Sequence, residues 1–204
     1  LVHDFVVEYL EKNDGKIEVT GSGVTKNIGV FLNKYELSGT TYNPKGTLGA
    51  NSNITVSGDS STGVLINGST STATPATATL EYGGNVSVTG NGVSGIIVGD
   101  NDTGKAEITV ENDGTVTVNN RTSTSAGVYE YMDGANKKKQ GSYGIIVSKD
   151  SKLVSDGTHK INADINIKGQ ESVGLYTGEN AKLDVNNHTV KAYEGAVNYD
   201  AEKG

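Results

Sequence analysis

The sequence predicts an all-β protein, a right-handed parallel β-helix with three short strands per coil. Three observations lead there. The first is a phrase that recurs along the chain: Asn53 to Ile66 reads N-I-T-V-S-G-D-S-S-T-G-V-L-I, Asn85 to Val98 reads N-V-S-V-T-G-N-G-V-S-G-I-I-V, and Asp164 to Thr177 reads D-I-N-I-K-G-Q-E-S-V-G-L-Y-T. In each copy an alternating apolar–polar segment, the period of a strand with one buried face, is followed at a constant spacing by a glycine that opens a second apolar segment. Looser copies join Ile17 and Val19 to Gly29, Val116 and Val118 to Gly127, and Leu183 and Val185 to Gly195. Internal repetition fixes an architecture before any single residue does.

The second observation is composition. Glycine supplies 28 of 204 residues, Trp and Cys are absent, and there is one Met. That glycine share is roughly twice the usual one. Such a chain lacks the bulk for one thick core, but Val, Ile and Leu can fill a narrow core built coil after coil. The regular β-branched triplets separate it from a disordered Gly/Ser/Thr/Asn-rich chain. The third observation is that the strands fall in threes between Gly/Asn/Asp turns, with no helical segment between them. An antiparallel sandwich is the rival, with hairpins every ten residues or so. Its strands would not repeat one another as a phrase.

Taken in order, residues 4–12 are read as a strand around Phe5-Val6-Val7, and Asn13-Asp14-Gly15 as a turn. Strands follow at 16–20 and 29–32. Residues 38–52 are expected to form a loop, with Pro44 barring a central strand position. Strands recur at 53–57 and 63–66, and the low-complexity stretch 67–78 is expected to lie on the surface. Then come 79–82, 85–89, 95–98, 106–110, 115–118 and 127–131, where the equal spacing of Gly63, Gly95 and Gly127 sets the period. Residues 132–142 interrupt the pattern as an inserted loop. Strands resume at 144–148, 152–154, 159–161, 164–168, 174–177, 182–185, 188–193 and 195–199.

The 17 basic and 24 acidic residues leave a net charge of −7. An acidic surface repels phosphate backbones, which argues against nucleic acid as a partner. Without cysteine there are no disulfides and no thiolate metal sites. Leu1-Val2-His3-Asp4-Phe5-Val6-Val7-Glu8 carries acids where a signal peptide would be apolar, and no apolar run is long enough to span a membrane as a helix. The chain does not open on Met and is expected to be one segment, residues 1–204, of a longer protein.

The phrase x-[IV]-x-V-x-G-x(3)-[ST]-x-G-[IVL]-x-V, tiled with variable loops over about 16 to 199, resembles the passenger region of type V autotransporter adhesins. It is particularly similar to the large fusobacterial outer-membrane adhesins, on stretches such as Glu171-Ser-Val-Gly-Leu-Tyr-Thr-Gly178 and Val93-Ser-Gly-Ile-Ile-Val-Gly99. The resemblance implies a long β-helical stalk outside the cell, held in the outer membrane by a C-terminal barrel that this chain does not contain. It implies adhesion to a protein or glycan on a host or partner cell. The family has no fixed catalytic motif, so the resemblance assigns no site residue, and neither an enzymatic role nor a cofactor is expected.

The residues themselves offer little chemistry. His3, His159 and His188 share no metal-ligand spacing. Gly21-Ser22-Gly23 and Gly90-Asn91-Gly92 are turn glycines, because a phosphate cradle needs a following helix and a lysine. Residues 99–104 and 111–114 are oxygen-rich, but fall short of the ligands Ca²⁺ takes and suit β-turns equally well. Glu18, Glu81, Glu107 and Glu130 do not occupy equivalent places in the repeat, so no ladder of acids is expected for a polysaccharide-cleaving enzyme. A polysaccharide-binding or polysaccharide-cleaving β-helix remains the alternative.

Two features stand out. The first residue after each repeat glycine is aliphatic (Val30, Val64, Ile96, Val128, Ile145, Leu175, Ala196), and so is or aromatic the second (Phe31, Leu65, Ile97, Tyr129, Ile146, Tyr176, Val197). Neighbouring strand residues point to opposite faces. The smaller, aromatic-free first row suits the narrow core and leaves the second as an exposed apolar ladder; the alternative is that the second row faces inward. The other feature is Lys137-Lys138-Lys139 in the insert. If the segment binds a partner, contact is expected at Tyr129, Tyr131 and Tyr176 with Lys137, Lys138 and Lys139 beside them, because tyrosine joins a large contact area to a polar tip.

Overall fold

A computed structural model describes residues 15–21, 27–33, 35–37, 40–42, 45–67, 77–99, 105–120, 130–133, 136–139, 142–169, 172–193 and 196–201. Among these every regular element is a β-strand. In order they are β1 (Lys16–Thr20), β2 (Ile28–Asn33), β3 (Tyr35–Leu37), β4 (Thr40–Tyr42), β5 (Lys45–Thr47), β6 (Asn53–Ser57), β7 (Thr62–Asn67), β8 (Thr77–Gly90), β9 (Ser94–Val98) and β10 (Lys105–Asn120). They continue as β11 (Glu130–Asp133), β12 (Asn136–Lys139), β13 (Tyr143–Val147), β14 (Lys152–Ser155), β15 (Ile161–Lys168), β16 (Val173–Thr177), β17 (Lys182–Leu183), β18 (His188–Tyr193) and β19 (Val197–Ala201).

The strands form a nine-stranded sheet, a six-stranded sheet and two small antiparallel hairpins, β3–β4 and β11–β12. Both large sheets are parallel. The six-stranded sheet runs β2-β7-β9-β13-β16-β19. The nine-stranded sheet consists of two ladders joined through the long strands β8 and β10, whose pairing breaks between Val110 and Gly114. The first ladder stacks β5, the opening half of β8, the opening half of β10, β14 and β17. The second stacks β1, β6, the closing half of β8, the closing half of β10, β15 and β18. The chain visits the first ladder, the second ladder and the six-stranded sheet in that order, again and again. Each return lays a strand in parallel beside the one before it.

The second ladder follows the alternation of its sequence. Ile54, Val86, Val116 and Ala163 are in register, as are Val56, Val88, Val118 and Ile165, and all eight are buried in the main core. Between them Thr55, Ser87 and Thr117 form a half-exposed polar row. Parallel registry of identical side-chain types satisfies the backbone and fills the core at the same time. The first ladder adds Leu80, Tyr82, Ile108, Val110 and Leu153 to that core, and Tyr82 is held protonated because burial opposes its phenolate.

The six-stranded sheet explains the repeat glycine. A Cβ added to Gly95 would lie 2.5 Å from the Gly144 carbonyl oxygen and 2.6 Å from a Val118 methyl. Gly29 and Gly63 meet their neighbours in the same manner. The sheet backbone comes so close to the second ladder here that only a hydrogen fits.

Three expectations are corrected. The Gly127 copy is not the next strand of the six-stranded sheet: β9 pairs directly with β13, Ile96 opposite Ile145, so the even glycine spacing breaks there. Residues 127–129 themselves lie outside the described ones. The Gly195 copy is out of step, because Leu175 stands opposite Tyr199 rather than Ala196. Residues 38–52 are not all loop, since they contain β4 and β5, and β5 pairs in parallel with β8. The strand expected at 4–12 falls outside the described residues.

Candidate functional site

Tyr176 lies in β16 and is only 2 % exposed. It meets Tyr143 edge-to-face, with ring centroids 6.2 Å apart and an interplanar angle of 87°. With Leu65, Ile97, Ile146 and Val173 the two tyrosines form a second apolar cluster, against which Ile28 and Phe31 pack. Val30, Val64, Ile96, Ile145 and Leu175 belong to the main core instead. The first row after the glycine therefore faces the core, as expected. The second row faces the other way, but Leu65, Ile97, Ile146 and Tyr176 are buried and Phe31 is half-buried, which overturns the expected exposed ladder there; Val197, at the last strand of the sheet, is exposed. Both faces of this sheet are apolar, so they are removed from water on both sides, whereas the second ladder keeps a wet polar face.

Tyr131 and the three lysines stand elsewhere. The insert expected as a loop at 132–142 contains the antiparallel ribbon β11–β12. Register places Tyr131 opposite Lys138, Glu130 opposite Lys139, Met132 opposite Lys137 and Asp133 opposite Asn136. The pairing thus brings Tyr131 and the lysines onto one ribbon, whereas Tyr176 belongs to a different sheet. Tyr129 falls outside the described residues. A signal for the ribbon was present: Asp133-Gly134 is a hairpin dipeptide, set here between a β-type segment and the lysine run.

The long connections avoid the joint between the two ladders. The joints between the first and second ladders are tight, at residues 48–52, 83–84, 111–113, 156–160 and 184–187. The longest connections all begin or end on the six-stranded sheet: 34–44, 68–76 and 121–142. Hairpin β3–β4 interrupts the first of these and β11–β12 the last.

Two acids of the first ladder are paired with lysines of neighbouring strands. Glu81 forms an ion pair with Lys45 and accepts a 2.8 Å hydrogen bond from Thr47, which hold its carboxyl below the usual range. Lys152 lies 3.6 Å from Glu107. Among the described strands no acid is registered opposite another acid, and no group of three His, Asp or Glu side chains among the described residues could hold a metal ion. Asp156 accepts hydrogen bonds from the backbone N–H groups of His159 and Thr158, at 2.8 Å each, and contacts His159 Nδ1 at 2.7 Å. These donors stabilise the carboxylate and bring its pKa down to about 2. His188 is exposed on β18. Compared with protein-family models, curated proteins and solved structures, the chain gives no match.

Proposed function

We propose that this chain is a segment of a bacterial surface-displayed fibre of the autotransporter adhesin type. On this reading the two ladders and the six-stranded sheet are the three faces of a right-handed parallel β-helix, three strands to a coil. The fibre stands outside the cell, and a C-terminal barrel elsewhere in the protein anchors it in the outer membrane. Its role is to hold binding segments away from the membrane and present them to a protein or glycan on a host or partner cell. It acts by geometry, without catalysis, cofactor or nucleic acid.

One observation carries this reading: the fixed visiting order of ladder, ladder and sheet, with parallel in-register stacking at each return. A scaffold of that kind grows along one axis by nearest-neighbour contacts and resists bending, while its insertions carry recognition. The long connections fall at the two joints of the six-stranded sheet rather than between the ladders, and on this reading they carry the binding segments. Tyr131, Lys137, Lys138 and Lys139 belong to one of these connections, and Tyr129 enters the reading through the sequence alone. Tyr176, being buried, supports the rod rather than a contact.

The test is adhesion of cells displaying the complete protein with residues 130–139 replaced by a Gly/Ser linker. Reduced attachment at unchanged surface level supports the reading, and unchanged attachment leaves this segment as a spacer. A polysaccharide-directed β-helix is the second reading. The polar row Thr55, Ser87 and Thr117 on the second ladder, regularly spaced and flanked in register by Glu18 and Asp164, favours it.

A further inference from the structure

We infer that the second ladder is a glycosylation site, with Asn53, Asn85 and Asn187 as acceptors for a neutral hexose. The inference goes beyond the reading of the segment as a fibre and stands without it. Asn-x-Ser/Thr, with no proline between, is the acceptor pattern for a sugar on the asparagine amide. It occurs six times, at Asn53, Asn67, Asn85, Asn101, Asn120 and Asn187. Three copies are described from end to end. Asn53-Ile54-Thr55 opens β6, Asn85-Val86-Ser87 lies in the closing half of β8, and Asn187-His188-Thr189 runs into β18. All three belong to the second ladder, and Asn53 stands in register opposite Asn85.

The three asparagines are exposed, and among the described residues no hydrogen bond ties down their amides. Ile54 and Val86 point into the main core, so the period of a strand turns Asn53 and Thr55, and likewise Asn85 and Ser87, outward together. Amide and hydroxyl are thus offered to an enzyme from one side. The other described acceptors are closed. Asn120 is 2 % exposed; its Oδ1 accepts a 3.0 Å hydrogen bond from the Gly92 N–H, and its Nδ2 donates one of 3.0 Å to the Lys168 carbonyl. Asn67 is 9 % exposed at the end of β7. The contrast matters because Nδ2 is the atom that forms the bond. It attacks the anomeric carbon of a nucleotide-activated hexose, held by a glycosyltransferase of the producing cell. The carbon–nitrogen bond forms as the carbon–oxygen bond to the nucleoside diphosphate breaks, the diphosphate leaves and one amide proton passes to solvent. Glu18 and Asp164 flank this face in register and the chain carries −7, which disfavours an acidic sugar. Neighbouring strands lie only about 4.8 Å apart, so the paired Asn53 and Asn85 suit single sugar units rather than branched chains.

The experiment is peptide mass spectrometry of the complete protein purified from the cells that naturally make it. Hexose is expected on Asn187 and on Asn53, Asn85 or both, with Asn67 and Asn120 bare. The T55A/S87A/T189A variant, made in the same cells, keeps all three asparagines but removes the hydroxyls of the pattern. It should lose the hexose at those positions while its circular dichroism stays unchanged, and N53Q/N85Q/N187Q should lose it too. Should the triple variants misfold, single S87A and T189A variants replace them, each expected to clear only its own asparagine. Three bare asparagines, sugar on Asn67 or Asn120 in their place, or sugar that survives loss of the hydroxyls would each overturn the inference. The cell-adhesion test is read separately, so a fibre that adheres without sugar would survive such a result.

Discussion

The second ladder and the six-stranded sheet each stack six strands in parallel, yet they solve burial differently. On the second ladder every other residue is apolar: the Val86 and Val88 positions are buried, while Thr55, Ser87 and Thr117 meet water. On the six-stranded sheet β9 reads Ser-Gly-Ile-Ile-Val and β13 Tyr-Gly-Ile-Ile-Val, and every residue of both is buried. The difference shows that a solvated face leaves its mark as alternation, whereas a sheet covered on both sides leaves an unbroken apolar run. Such a run does not say which of its faces meets the principal core.

The sharpest way to probe this contrast is a charge on each region. Val88→Asp places an unpaired carboxylate in the main core, and Ile97→Asp places one in the second cluster. Both residues are fully buried, so each substitution is expected to cost several kcal/mol, about 3 or more, in chemical denaturation. A near-neutral Ile97→Asp beside a damaging Val88→Asp would show that the second row meets water after all, as the sequence pattern suggested.

Glycines give the next effect. Gly95→Ala inserts a methyl between the Gly144 carbonyl and Val118, and the overpacking should cost about 1–3 kcal/mol. Gly157 sits in the turn between the ladders with a φ of 96° and nothing within 4 Å of an added Cβ. Gly157→Ala therefore meets only backbone strain and is expected to cost about 1 kcal/mol. Equal melting temperatures for the two variants would remove close approach as the reason for the repeat glycine.

The smallest effect concerns that same turn. Asp156 has its folded pKa depressed to about 2 by the backbone N–H groups of His159 and Thr158. The sign follows directly: its contribution is present above the unfolded carboxylate value and is lost as pH falls through about 2. An NMR titration of the Asp156 carboxyl carbon should show a midpoint near 2, well below that of an exposed aspartate. A midpoint near the ordinary value would mean the turn is not held by those donors.

Much of this architecture was legible. The alternation at Asn53–Ser57 and Asn85–Thr89 fixed which residues face inward, and the recurring glycine marked the start of strands in the six-stranded sheet. The illegible parts have physical causes. Gly127-Val128 matches the local pattern, but local pattern does not decide which strand pairs with β9, and β13 takes that place. Gly195-Ala196 matches as well, yet pairing follows Val173 opposite Val197, two residues past the glycine. Burial of Tyr176 depends on what covers the far side of the sheet, which the period of a strand does not encode. The lysine run looked like a solvated loop, because three like charges in sequence carry no strand periodicity, and only the Asp133-Gly134 pair hinted at a hairpin.

The central claim is parallel, in-register stacking of successive passes, and cysteine pairs test it most directly in a chain without native cysteine. Asn53 is registered opposite Asn85 and Ser57 opposite Thr89. Adjacent strands in register bring Cα atoms within the roughly 4.4–6.8 Å that a disulfide spans. Under mild oxidation the double variants N53C/N85C and S57C/T89C are expected to cross-link within one chain, while N53C/T89C and S57C/N85C should not. Cross-linking of the second set in place of the first would mean antiparallel pairing and would contradict the account.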